Sequence, residues 1–216
     1  MNAIKKNKLK EIKAYAEKIL SNDKTGHDMD HIHRVVCQAQ RIQKIEGGNL
    51  FIILAGAYLH DVMDDKLVSD PQEARNELGD FLDSIQLDKD EQQHLFEVID
   101  NVSFSHQLEN KTANDLTLEA KIVQDADRLD ALGAIGIGRT FYYGGRKGHK
   151  MYDETILPRE NMTKEDYRVN QTVINHFYEK LFKLKEMMQT KTGVEMAKKK
   201  TDFMVLFVEN FIEESK

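Results

Sequence analysis

Residues 50–65 read LFIILAGAYLHDVMDD. Leu50 through Leu59 carry no charge, and then His60 and Asp61 follow, with Val62-Met63 before Asp64-Asp65. The apolar run is about half the length a bilayer span requires. It predicts a helix that is hydrophobic all round and therefore buried at the centre of a domain. Two ionisable groups at the end of such a helix are costly unless they are paired or bound to a metal ion. A hydrogen bond from the helix end to backbone is the simpler alternative for His60-Asp61 taken alone.

Outward from this run, nearly every segment has helical spacing. Residues 3–20 carry Ile4, Leu9, Ile12, Ala16 and Ile19 on one stripe, and Ser21-Asn22-Asp23 ends that helix. A second helix covers residues 28–45 and stops at Gly47-Gly48. Asp70-Pro71 opens a fourth helix that runs to residue 85. Asp88-Lys89-Asp90-Glu91 caps a fifth, which runs to residue 102. Residues 103–114 read as a polar loop. A sixth helix spans residues 115–132 and continues, bent at Gly133, to residue 140. Residues 141–162 hold Gly144, Gly145, Gly148 and Pro158, and read as one long irregular segment of the kind that often carries function. A long helix over 163–189 and a last one over 194–214 then form a C-terminal hairpin. The expected fold class is all-α, in a single domain over residues 1–216.

Composition narrows the function. The chain has 216 residues, 40% hydrophobic, enough for a sizeable core. Its formal charge of -6 argues against a general nucleic-acid binder. Lys198-Lys199-Lys200 reads as the solvated face of the last helix. Cys37 is the one cysteine, so no intrachain disulfide forms and a reducing compartment fits. The N-terminal stretch lacks the unbroken apolar run of a signal peptide. A cytoplasmic protein is expected, with no membrane partner.

Several polar residues stand where apolar ones belong. Asp125 shares a stripe with Ile122, Leu129 and Leu132, and buried aspartates are rare without a cation. Asp127, Arg128 and Asp130 fall largely off that stripe and read as a charged face with local pairs. His31 shares a face of the second helix with Val35 and Ile42. His27 sits four residues earlier and could join it, whereas His33 points elsewhere. Three helices thus place His or Asp on buried sides, and imidazole with carboxylate suits a divalent metal such as Mn²⁺, Fe²⁺ or Mg²⁺.

These residues resemble a known family. His31-Ile-His-Arg34-Val35, then Ala57-Tyr-Leu-His60-Asp61, then Gln124-Asp125-Ala-Asp127-Arg128-Leu-Asp130-Ala-Leu-Gly133 resemble the HD-domain phosphohydrolase superfamily over about residues 20–145. The stretch from Gln124 to Tyr143 resembles a small bacterial branch that includes manganese-dependent nucleoside triphosphate pyrophosphohydrolases. The resemblance implies an HD-type helical bundle. It also implies one metal ion, Mn²⁺ first and Mg²⁺, Fe²⁺ or Ni²⁺ as alternatives, held by His31, His60, Asp61 and Asp125. The implied reaction is hydrolysis of a small phosphorylated substrate, a nucleotide first. His60 to Asp65 also resembles the HDxxED motif of alarmone hydrolases, with Asp for Glu, and nucleotidase activity is a further alternative. A metal-binding signalling domain is the non-enzymatic one.

Asp64 or Asp65 would orient water or shuttle a proton. Arg34, Arg128, Arg139, Arg146, Lys147 and His106 are the candidates for substrate phosphate. The apolar stripe Phe203, Leu206, Phe207 and Phe211 packs either internally or across a homodimer.

Overall fold

The run that opens the sequence argument forms α3 (Leu50–Leu59), buried from Phe51 to Ala57 and again at Leu59. The computed structural model describes residues 1–21, 28–64, 67–68, 70–102, 116–159 and 172–216, and divides into two compact units, Met1–Asp127 and Arg128–Lys216.

In the first unit, α1 (Ala3–Leu20) and α2 (Met29–Glu46) pack on α3. Asn2 and Asp28 cap them, their side chains accepting from the N–H groups of Lys5 and His31. Gly47 and Gly48, with φ +86° and +87°, turn the chain after α2 as the pattern predicts. Asn49 caps α3 by accepting from Phe51 and Ile52. Its own N–H donates to Glu119 Oε1 at 2.7 Å, which ties the start of α3 to α6 (Leu118–Asp130). The helices α4 (Pro71–Ser84) and α5 (Lys89–Val102) begin at the Asp70-Pro71 and Asp88 signals. Gly56 lets α3 lie against α5, because a Cβ there would stand 2.7 Å from Val98 Cγ1.

The second unit differs from its sequence pattern in three places. First, the predicted irregular stretch begins as helix: α7 (Gly133–Lys147) starts at Gly133, with φ +74°, and closes on Gly148 in the left-handed region. Gly144 is there for close approach, since a Cβ would meet Val173 Cγ2 at 2.4 Å. Second, the long helix predicted over 163–189 is, at its described residues, α8 (Val173–Glu179) and then a 3-10 helix (Leu181–Met187). The N–H groups of Val173 and Ile174 donate to the carbonyls of Lys150 and Met151, so they are unavailable to a preceding helical turn. Third, Lys200, on α9 (Lys191–Glu214), is not a solvated lysine. Its ammonium donates to the carbonyls of Leu129, in the last turn of α6, and of Leu132 just beyond it, a cation at the C-terminal end of a helix.

The C-terminal hairpin is formed by α9 packing on the 3-10 helix and on α7. Phe207 and Phe211 pack on Phe141, with ring centroids 5.8 and 5.4 Å away, whereas Phe203 and Leu206 are exposed. Arg159 donates from Nε and Nη2 to the two carboxylate oxygens of the buried Glu179, and this hydrogen bonding holds the Glu179 carboxyl below its usual range. Among the described residues there is no strand, and no helix is long and apolar enough to cross a membrane.

The close contact at Gly56 makes a direct prediction. Gly56→Ala should lower stability by about 1–3 kcal/mol, because β-branched Val98 on a rigid helix cannot swing aside. Urea denaturation of the two proteins checks it; an unchanged or raised midpoint refutes the close-packing account.

Candidate metal centre

The first unit brings three helices to one point. His31 is the third residue of α2, and its N–H is held at 2.9 Å by the capping Asp28 carboxylate. The cap thus fixes the turn from which the imidazole projects. His60 follows the last turn of α3. Its Nδ1 lies 3.0 Å from the Ala57 carbonyl, an acceptor, so Nδ1 carries the proton and donates. Nε2 is then left for whatever the ring faces. Asp61 sits in the turn that follows, in which the N–H of Asp64 donates to the Asp61 carbonyl.

The donor atoms converge. His31 Nε2 and His60 Nε2 are 3.3 Å apart. Asp61 Oδ2 lies 3.4 Å from the first and 3.3 Å from the second. Asp127 Oδ1, from α6, lies 3.5 and 3.7 Å from the same two nitrogens. Ligands bonded at about 2.1 Å around a tetrahedral or octahedral ion stand roughly 3.0–3.4 Å from one another. His31, His60 and Asp127 therefore fit a divalent cation, their donor atoms all lying within 4.8 Å of one another, and Asp61 stands against both imidazoles beside them. The His31, His60 and Asp61 side chains are nearly sealed from solvent, whereas that of Asp127 is 33% exposed. The cluster is open to solvent on the Asp127 side.

Electrostatics point the same way. Burial lowers the affinity of His60 for a proton, but the Asp61 and Asp127 carboxylates and the Ala57 carbonyl outweigh it and raise its pKa to about 9. Burial pushes Asp127 up, but the hydrogen bond and charge of His60, with His31, hold it below the ordinary carboxylate range. The carboxylates stabilise a positive charge at this point, whether a proton or a metal ion supplies it.

The oxygen that α6 presents to the histidines belongs to Asp127, not to Asp125. Asp125 is fully buried on the same helix, two residues earlier. Two residues turn an α-helix through about 200°, so the two side chains leave on opposite sides. The single-stripe reading fails because α6 is buried nearly all round: Ala120, Val123 and Asp130 are as inaccessible as Ile122 and Leu129. The usable signal is that second stripe, on which Asp127 falls four residues after Val123 and three before Asp130.

The other expected residues are placed as follows. Asp64 is described and half-buried, whereas Asp65, His27 and His106 lie outside the described residues. Arg34 follows His31 by three residues on α2. In the second unit, Arg128 is buried and donates to the Met187 carbonyl, and Arg139 pairs with the buried Asp130. Arg146 and Lys147 are exposed at the end of α7, with the Lys147 ammonium 5.8 Å from the Tyr143 ring centre.

Comparison with known proteins identifies the family. The HD domain family model matches residues 29–132, the span that holds all four converging side chains. YpgQ of Bacillus subtilis is 35% identical over 199 residues, covering 92% of this chain and 89% of that protein. The crystal structure of an HD-superfamily hydrolase from Bacillus thuringiensis matches with 39% identity and a TM-score of 0.79, over 97% of each chain. A Lactobacillus plantarum structure matches with 45% identity and a TM-score of 0.81, over 96% of each. The structure of Bacillus subtilis YpgQ in complex with ADP matches with 30% identity and a TM-score of 0.77, over 98% of this chain and 96% of that one. The chain belongs to the HD superfamily of hydrolases. It is a metal-dependent phosphohydrolase, and its cofactor is a divalent metal ion.

A proton and a metal ion compete for the same nitrogens. Because the metal-free pKa of His60 is raised to about 9, metal affinity should climb with pH from 7 towards 9 and level off above, by up to about tenfold per unit. Calorimetric titrations at stepped pH check this; an affinity flat across that window contradicts the placement of His60.

Proposed function

We propose that the protein hydrolyses nucleoside triphosphates to the monophosphate and pyrophosphate, using Mn²⁺ held by His31, His60, Asp61 and Asp127. The observation that carries the ligand set is that one oxygen of each carboxylate lies 3.3–3.7 Å from both Nε2 atoms. Two nitrogens and two hard oxygens suit Mn²⁺. Support for a nucleotide comes from the relative YpgQ, which was crystallised with ADP.

A bound divalent ion supplies Lewis acidity toward a phosphoryl oxygen and a lowered pKa for water. The protein's own residues do the rest. Ala57 fixes the orientation of the His60 ring, and Asp28 fixes that of the His31 backbone. Asp64, whose N–H bonds the Asp61 carbonyl, is the proposed group that orients the attacking water or takes its proton; Asp65 shares that assignment by sequence. Arg34, three residues beyond His31, is the proposed phosphate cation in the first unit. Arg146 and Lys147 are proposed phosphate contacts in the second, where Arg128 and Arg139 serve a backbone carbonyl and a buried carboxylate. The setting is cytoplasmic, in keeping with the exposed free thiol of Cys37.

Purified protein with Mn²⁺ and a panel of nucleotides tests the reaction. Pyrophosphate from triphosphates is expected. Pyrophosphate from guanosine tetraphosphate alone would favour the alarmone reading, and phosphate from monophosphates a nucleotidase. The ligand set is tested in parallel. Asp127→Ala should weaken Mn²⁺ binding by more than about 100-fold, the upper end of what loss of a supporting residue alone causes. Asp125→Asn should retain binding. The reverse pattern returns the role to Asp125.

A further inference from the structure

We infer that Gln38 is a positioning residue for the metal centre: its amide anchors α6 at Ala126, so that Asp127 meets His31. The inference rests on Asp127 being a ligand, as proposed above. His31 and Gln38 are seven residues apart on α2, nearly two turns, and so share a face. Both reach α6, and they do so at consecutive residues. His31 Nε2 lies 3.5 Å from Asp127 Oδ1, and Gln38 Nε2 donates to the Ala126 carbonyl at 3.3 Å.

The bond is surplus to the needs of the helix. A carbonyl in a helix interior already accepts from the N–H four residues on. Nor does the side chain serve stability well. Gln38 is 7% exposed among Val35, Ala39 and Ile42, each wholly buried. Its Oε1 is buried and has no hydrogen-bond partner among the described residues. A buried, unpaired amide oxygen costs free energy. Methionine would fill the same volume without that cost.

What the amide provides over an apolar side chain is a hydrogen-bonded point on α6 next to Asp127, whereas the bonds this helix makes with Asn49 and Asn101 lie further away, at Glu119 and Gln124. Rotation of that helix by one residue, about 100°, would carry Asp127 away from both Nε2 atoms. The ligand that needs this restraint is Asp127. His60 and Asp61 come from one short turn and are buried, whereas the Asp127 side chain is one-third exposed and least confined by packing.

The test compares wild type, Gln38→Met, Gln38→Leu and His31→Ala. Free Mn²⁺ is titrated by electron paramagnetic resonance, and the metal-free proteins are melted alongside. Gln38→Met and Gln38→Leu should melt no lower than wild type without metal, yet bind Mn²⁺ about tenfold more weakly. Wild-type affinity in both variants overturns the inference. A fall in melting temperature that tracks the fall in affinity also overturns it, because that is a merely structural role. His31→Ala reads out separately: if it binds Mn²⁺ as tightly as wild type, the metal centre itself is wrongly placed, whatever the Gln38 variants do.

Discussion

Two imidazoles stand 3.3 Å apart, and two carboxylates each lie 3.3–3.7 Å from both of them, three of the four groups almost fully withdrawn from water. Taken singly, each is expensive to bury. Taken together without a cation, the carboxylates repel and the ring nitrogens crowd. The arrangement is stable only around positive charge, and His60 registers this by holding its proton up to about pH 9. The first unit is organised to impose this crowding. Asp28 pins the start of α2, Asn49 and Glu119 pin the start of α3, and Gly56 sets its depth against α5.

Much of the fold was legible because its signals are local. Capping residues at 28, 49, 70 and 88 begin helices where the pattern predicts, since each supplies an acceptor to orphan N–H groups. The charge-free run of α3 had no other tolerable place than the interior. What misled was long-range. Phe141 to Lys147 look like loop because of Gly144-Gly145, yet Gly144 is there to admit Val173. The break before α8 depends on the carbonyls of Lys150 and Met151, over twenty residues away. Neither can be read from a window of neighbouring residues.

The site divides in the same way. His31, His60 and Asp61 were identifiable because a polar group on an apolar face is conspicuous. On α6 that contrast disappears. With burial on nearly every side, Asp125 and Asp127 both break an apolar stripe, and hydrophobic pattern alone cannot choose between them. Three-dimensional geometry can, since residues about 200° apart on a helix cannot face the same two nitrogens.

The uneven exposure of the two carboxylates follows from what hydrolysis requires. A structural ion is best enclosed on all sides, but a catalytic one must leave coordination positions within reach of water and substrate. On the proposed ligand set, Asp61 is sealed with the histidines and the three give a dry base to the site. Asp127 closes the set from the solvent side, where its carboxylate can be approached. That position also makes it the least packed of the four. A ligand so placed gains its precision from the backbone that carries it. On the proposed ligand set, the hydrogen bonding of α6 then serves the chemistry of the site as well as its scaffold.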